Sequence, residues 1–125
     1  MRAGVAFAID VVFVIAFATI GRASHEEGLS VSGIADTAWP FLVGLIVGWA
    51  IGTMIVKSYP TTWRTVWPVW VGTVFIGMAL RALTGDGTAV AFIVVATITL
   101  GVFLFGWRLI AAAITRRPAT TRTKR

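Results

Sequence analysis

At 125 residues, 58% hydrophobic and 13% charged, this chain is far more apolar than a soluble domain, where about half the residues are apolar and a quarter charged. It has no cysteine, which excludes disulfides and thiolate metal sites. Its net charge of +6 sits at the ends of apolar runs and in one short tail, as in a membrane protein that keeps basic residues on the cytoplasmic side, so nucleic acid is set aside as a partner.

The first apolar run covers residues 3–21, follows Arg2 and is interrupted only by Asp10. A bilayer core of ~30 Å needs about 20 helical residues, so the run is long enough to span. The competing reading is a signal peptide, since Ala16-Phe17-Ala18 resembles a cleavage triplet. Asp10 stands where such a peptide is unbroken, and more spans follow. Residues 22–36 read as a polar loop holding His25, Glu26 and Glu27.

Residues 37–56 read as the second span. With Thr37 as N-cap, Pro40 falls in the first turn, where its missing N–H has no intrahelical partner to lose. Gly44, Gly48 and Gly52 recur every fourth residue and line one face, a seam for close helix packing. Residues 57–65 form a short loop, and Trp67-Pro68 opens the third span, 66–83. Thr84-Gly85-Asp86-Gly87 is a turn signal, with Asp-Gly as the left-handed position. The fourth span is 88–110. Residues 111–125 are a basic tail, expected to be disordered or adsorbed on anionic lipid.

With the N-terminus inside, the inner segments hold nine Lys or Arg and the outer ones only Arg22 and Arg81. This places both termini in the cytoplasm. Thr37-Ala38-Trp39-Pro40-Phe41 aligns with Thr88-Ala89-Val90-Ala91-Phe92, and Gly48-Trp49 echoes Gly106-Trp107. Two hairpins related by duplication would produce such echoes, as would chance among apolar helices.

Asp10 is the sharpest signal for chemistry. It lies about 7 residues into its span, so ~10 Å from the inner boundary, where a carboxylate needs a partner or water. Arg108 is the expected partner. The pair is either a proton or cation site, or a structural ion pair that pins span one on span four. Arg22, His25, Asp36 and Arg81 gather at the outer rim with Glu26, Glu27 and Asp86. Two outer arginines run against the positive-inside bias. They either clamp a carboxylate or phosphate or are neutralised by neighbouring carboxylates. His25 could sense pH or simply be solvated.

Trp49, Trp63, Trp67, Trp70 and Trp107 fall toward the inner side and Trp39 toward the outer. An aromatic belt accounts for some of them. Trp39, Trp49, Trp70 and Trp107 are also candidate pocket residues. The chain contains no phosphate loop, no His-Glu-x-x-His and no nucleophile triad. It is therefore read as a non-enzyme, without cofactor or metal.

At Asp10, Gly21-Arg22-x-x-His25, Thr37-Ala38-Trp39-Pro40-Phe41, Gly48-Trp49, Gly77-x-x-Leu80-Arg81 and Gly106-Trp107-Arg108, the chain resembles a prokaryotic membrane family. That family is the domain of unknown function 3054, of actinobacteria and haloarchaea. The likeness covers spans one to four and stops before the tail. It implies a four-helix integral membrane protein and supplies no catalytic residues.

The expected fold is an all-α integral membrane bundle of four transmembrane helices, multi-pass in the cell membrane, with residues 1–110 as the membrane domain. The leading function is a small transporter or ligand-binding membrane protein for a small anionic or proton-coupled solute, acting as a homo-oligomer such as a dimer. Arg22 and Arg81 would recognise the anion, and Asp10 would be an internal ion site. The alternative is a structural or accessory subunit packed on a partner through the glycine face of span two.

Overall fold

A computed structural model describes residues 2–23 and 30–122, with side chains described up to Thr115 except that of Ala23. These residues form four helices and no strand: α1 (Ala3–Ala23), α2 (Val31–Val56), α3 (Trp67–Leu83) and α4 (Val90–Arg122). Each helix packs on its neighbours in the chain, and α4 closes the ring on α1. The broadest contact is between α2 and α3.

Three helices are long and apolar enough to cross a membrane: Ala3–Arg22, Val31–Val56 and Val90–Thr115, with mean hydropathies of 2.4, 1.9 and 2.3. α3 is apolar but only 17 residues long, ~26 Å of helix at 1.5 Å per residue. Large apolar side chains cover the outside of the bundle, among them Met54, Phe75, Leu83 and Val102. Water is a poor neighbour for such a surface. Threonines inside the helices hide their hydroxyls by donating one turn back, as Thr73 does to the Val69 carbonyl at 2.7 Å and Thr97 to that of Ile93 at 2.7 Å.

The start of α2 departs from the sequence expectation. Ser30 is the N-cap, its hydroxyl accepting from the Gly33 N–H at 3.0 Å. The helix thus begins two turns before Thr37, and Pro40 lies inside it. A good cap and no intervening breaker extend the helix outward. Pro40 then has no N–H for the Asp36 carbonyl one turn back. α3 starts as expected, with Pro68 in its first turn after Val66. The Trp-Pro pair therefore starts one helix and interrupts the hydrogen bonding of another.

Two other boundaries differ. In the turn after α3, the left-handed residue is Gly85, φ +83°, rather than the Asp-Gly pair. Thr84 caps the helix by donating to the Leu80 carbonyl at 2.9 Å, which leaves the next residue to reverse the chain. α4 continues as helix to Arg122, past residue 110, where the sequence places the start of the tail. Ala111-Ala112-Ala113 are strong helix formers, so nothing local stops it there.

The glycine seam belongs to the chain itself. A Cβ on Gly44 would stand 2.9 Å from the Thr73 carbonyl oxygen, and one on Gly48 3.0 Å from that of Val69. Gly72 faces back, 2.8 Å from the Gly48 Cα by the same construction. Two backbones meet here with no side chain between them. Gly52 meets Pro68 at ordinary contact distance, 3.4 Å. The expectation that a separate partner helix occupies this face is corrected: α3 fills it, because the short 57–66 connection delivers α3 alongside α2.

Candidate functional site

Two polar centres lie at opposite ends of the bundle, and the helices bring different residues to each. Along α1, Asp10, Val14 and Phe17 are buried in succession, and along α4 so are Ala96, Leu100, Leu104 and Arg108. These spacings of three and four put each set on one face, so the same faces that build the core also carry the polar centres.

The Asp10 centre joins α1, α2, the α2–α3 connection and α4. Asp10 is fully buried and Arg108 is 1% exposed. They form a two-pronged ion pair, Nη1 to Oδ1 and Nη2 to Oδ2, both at 2.8 Å. Trp49 Nε1 donates to Oδ2 and Trp107 Nε1 to Oδ1, both at 2.9 Å. Each carboxylate oxygen thus accepts two N–H groups, which fills its acceptor capacity. Arg108 also donates from Nε and Nη2 to the Pro60 carbonyl, at 3.2 and 2.9 Å, and from Nη1 to that of Leu104 at 2.9 Å. All five guanidinium hydrogens are used.

Such closure is what makes a charge pair tolerable in an apolar interior, where desolvation alone would outweigh the attraction. The two Gly-Trp dipeptides that echo each other in the sequence supply one indole to each oxygen of the same carboxylate. The expected inner pocket is filled by these side chains. Trp70, expected to join them, donates instead to the Thr97 carbonyl at 3.0 Å and packs over Gly101. The Pro60 carbonyl is a partner the sequence reading missed. A backbone acceptor has no residue signature, and only the Tyr-Pro turn hints at a fixed loop.

At the other end lies a cavity of about 340 Å³. Arg22 and Asp36 line it from α1 and α2, Arg81 from α3, and Asp86 from the α3–α4 turn. Phe17 and Phe92 also line it. Their rings pack with Phe41, at centroid distances of 5.1 Å for Phe17–Phe41 and 6.2 Å for Phe41–Phe92. Phe41 in turn fills the space left by Gly77. This aromatic floor was not foreseen, although Phe17 stands one turn before Gly21-Arg22 and so shares their face.

Arg81 is held in two ways. Its Nε donates to the Gly87 carbonyl at 3.0 Å, and its Cζ lies 4.5 Å from the Phe92 ring centroid. Both of its Nη groups are without a partner among the described residues, and Asp36 and Asp86 form no ion pair with it. The Arg22 guanidinium packs against the first turn of α2, where a Cβ on Gly33 would lie 2.6 Å from its Cζ. Trp39, a pocket candidate, is 38% exposed and lines neither centre. His25, Glu26 and Glu27 lie outside the described residues.

Val14, Phe17, Phe41, Leu45 and Leu100, all buried, occupy the helix positions between the two centres. Gly21 and Asp10 are 11 residues apart on α1, ~16 Å along its axis. Among the described residues, no cluster of three or more His, Cys, Asp or Glu side chains is placed to hold a metal.

A family model described as "Protein of unknown function (DUF3054)" matches residues 7–111. The chain belongs to this family. The matched region contains both polar centres and excludes the basic end of α4. No curated protein and no solved structure matches the chain.

Proposed function

We propose that the protein is a multi-pass membrane protein that binds a small anion at its arginine cup. The Asp10 centre serves as a clasp that fixes the helices beneath it. The apolar outside and the three long helices support the membrane placement. Nine Lys or Arg against two support termini on the cytoplasmic side. The cup then opens outward, and the basic end of α4 projects toward anionic lipid. α3, at 17 residues, spans with the help of its flanking residues or local bilayer thinning.

The observation that carries this reading is the Arg81 guanidinium. It is fixed by Gly87 and Phe92, its two Nη groups have no partner among the described residues, and it lines one cavity with Arg22. A guanidinium held in place with donors to spare matches carboxylate or phosphate oxygens. Binding is favoured over transport because Asp10 has no acceptor position open to an ion and packed side chains separate it from the cup.

The test is calorimetric titration of inorganic phosphate and acetate into detergent-purified protein. Wild type should bind at least one of them, and Arg81→Gln should weaken that binding about ten- to a hundredfold, the worth of one or two charged hydrogen bonds. Binding of neither anion by wild type sinks the proposal. Topology is checked separately, since the chain has no cysteine of its own. In intact cells an impermeant maleimide should label Ala35→Cys and spare Ser58→Cys.

A further inference from the structure

The cup holds charges of both signs, and among the described residues Arg81, Asp36 and Asp86 form no ion pair with one another. Arg81, whose two Nη groups have no partner among the described residues, lines it together with the exposed residues Asp36 and Asp86. None of these three is in an ion pair among the described residues. Opposite charges around one small cavity would ordinarily pair off if their backbones allowed it. Arg81 is anchored by the Gly87 carbonyl, while Asp36 comes from α2 and Asp86 from the α3–α4 turn.

A second observation concerns the same wall. Pro40 lies inside α2, so the Asp36 carbonyl lacks the N–H that one further helical turn would supply. The residue that contributes a carboxylate to the cup therefore also has a backbone acceptor relieved of its usual partner. Asp36 enters the cup from α2 and Asp86 from the turn that anchors Arg81, and Phe17 and Phe92 line the same cavity.

We infer that the ligand of the cup is a small zwitterion. Its carboxylate or phosphate sits on Arg81, beside Arg22, and its ammonium sits on the Asp36 and Asp86 side. The short carbon link rests on the aromatic floor. This rests on the anion-binding reading and adds the cationic half of the ligand. A volume of about 340 Å³ is at the small end of ligand pockets, suited to a compact molecule. Two sources carry this chemistry: a free aminocarboxylate or phosphoethanolamine in solution, and the headgroup of a phosphatidylethanolamine in the surrounding bilayer.

The experiment compares probes on detergent-purified wild type: O-phosphoethanolamine and L-leucine as zwitterions, inorganic phosphate and acetate as the matching anions, and ethanolamine as the cation alone. At least one zwitterion should bind about ten- to a hundredfold more tightly than its matching anion, the worth of one added charged hydrogen bond. The double variant Asp36→Asn with Asp86→Asn should erase that advantage. Phosphate or acetate binding as tightly as its zwitterion overturns the inference while the anion site stands. No binding of any probe removes both. The wild-type comparison decides the matter even where the double variant fails to fold.

A further arm separates the sources. Protein in nanodiscs of phosphatidylethanolamine should resist the soluble zwitterion relative to protein in phosphatidylglycerol if the headgroup is the occupant. Equal binding in the two identifies the free molecule.

Discussion

The Asp10 centre and the arginine cup are built from the same kinds of residue, arginine, aspartate and aromatic rings, and end in opposite conditions. At Asp10 every donor and acceptor is matched: four N–H groups on one carboxylate and five hydrogens on one guanidinium, with the ion pair itself buried. At the cup, Arg81 and two aspartates share a cavity and form no ion pair among the described residues. The difference lies in where the side chains start. Arg108 and Asp10 stand on facing helices in the middle of packed faces, so the fold closes over them. Arg81 stands in the last turn of α3, Asp36 in the second turn of α2 and Asp86 in the α3–α4 turn, and among the described residues no packed face closes over the two aspartates, which are exposed. Charge buried and matched holds helices together; charge held but unmatched is free to hold something else.

The largest effect should come from opening the clasp. Arg108→Ala leaves the Asp10 carboxylate buried with only the two indoles, and should cost about 3–5 kcal/mol of stability in detergent unfolding. Adding Asp10→Ala to it should cost much less than the sum of the single changes, because the second removes the stranded charge. An additive pair would mean that the clasp is not a unit. Next in size is Trp49→Phe, which keeps the ring but removes one donor from Asp10 Oδ2. Losing a hydrogen bond to a charged group should cost about 1.5–3 kcal/mol.

Gly48→Leu should cost about 1–3 kcal/mol by forcing α2 from α3. Because the seam lies within one chain, light scattering should show an unchanged mass. A shift in oligomeric state with stability intact would instead place the seam between chains. The smallest effect on stability belongs to Arg81→Gln, within about 0.5 kcal/mol as for other substitutions away from the core. It is also the variant expected to lose anion affinity tenfold or more. A destabilised Arg81→Gln protein would blur the distinction between clasp and cup.

Much of this was legible in the residue order. Four apolar runs separated by polar breaks mark four helices, since hydrophobicity over about 20 residues is a local property. Asp10 pointed to Arg108 because a carboxylate inside an apolar run needs a counter-charge and few were near its depth. Arg22 and Arg81 stood out because they break the charge bias of the loops. Less legible was the start of α2, where Ser30 and Thr37 are both acceptable caps and only the docked chain chooses between them. The sequence also could not say that Trp70 turns to Thr97 while Trp107 turns to Asp10, because both indoles sit on apolar helices and differ only in what faces them.

The sequence by itself determined the number of helices, the apolar outside, the close-packing glycines and the residues whose charge demands a reason. Those follow from composition and from periods of three to four residues. Only the tertiary structure decided what each of them meets. It put α3 on the glycine face, the Pro60 carbonyl on Arg108, one tryptophan on each oxygen of Asp10, and a phenylalanine floor between clasp and cup. Pairings of that kind depend on the relative rotation and depth of separate helices, set by the packing of all four together and encoded in no single stretch of chain.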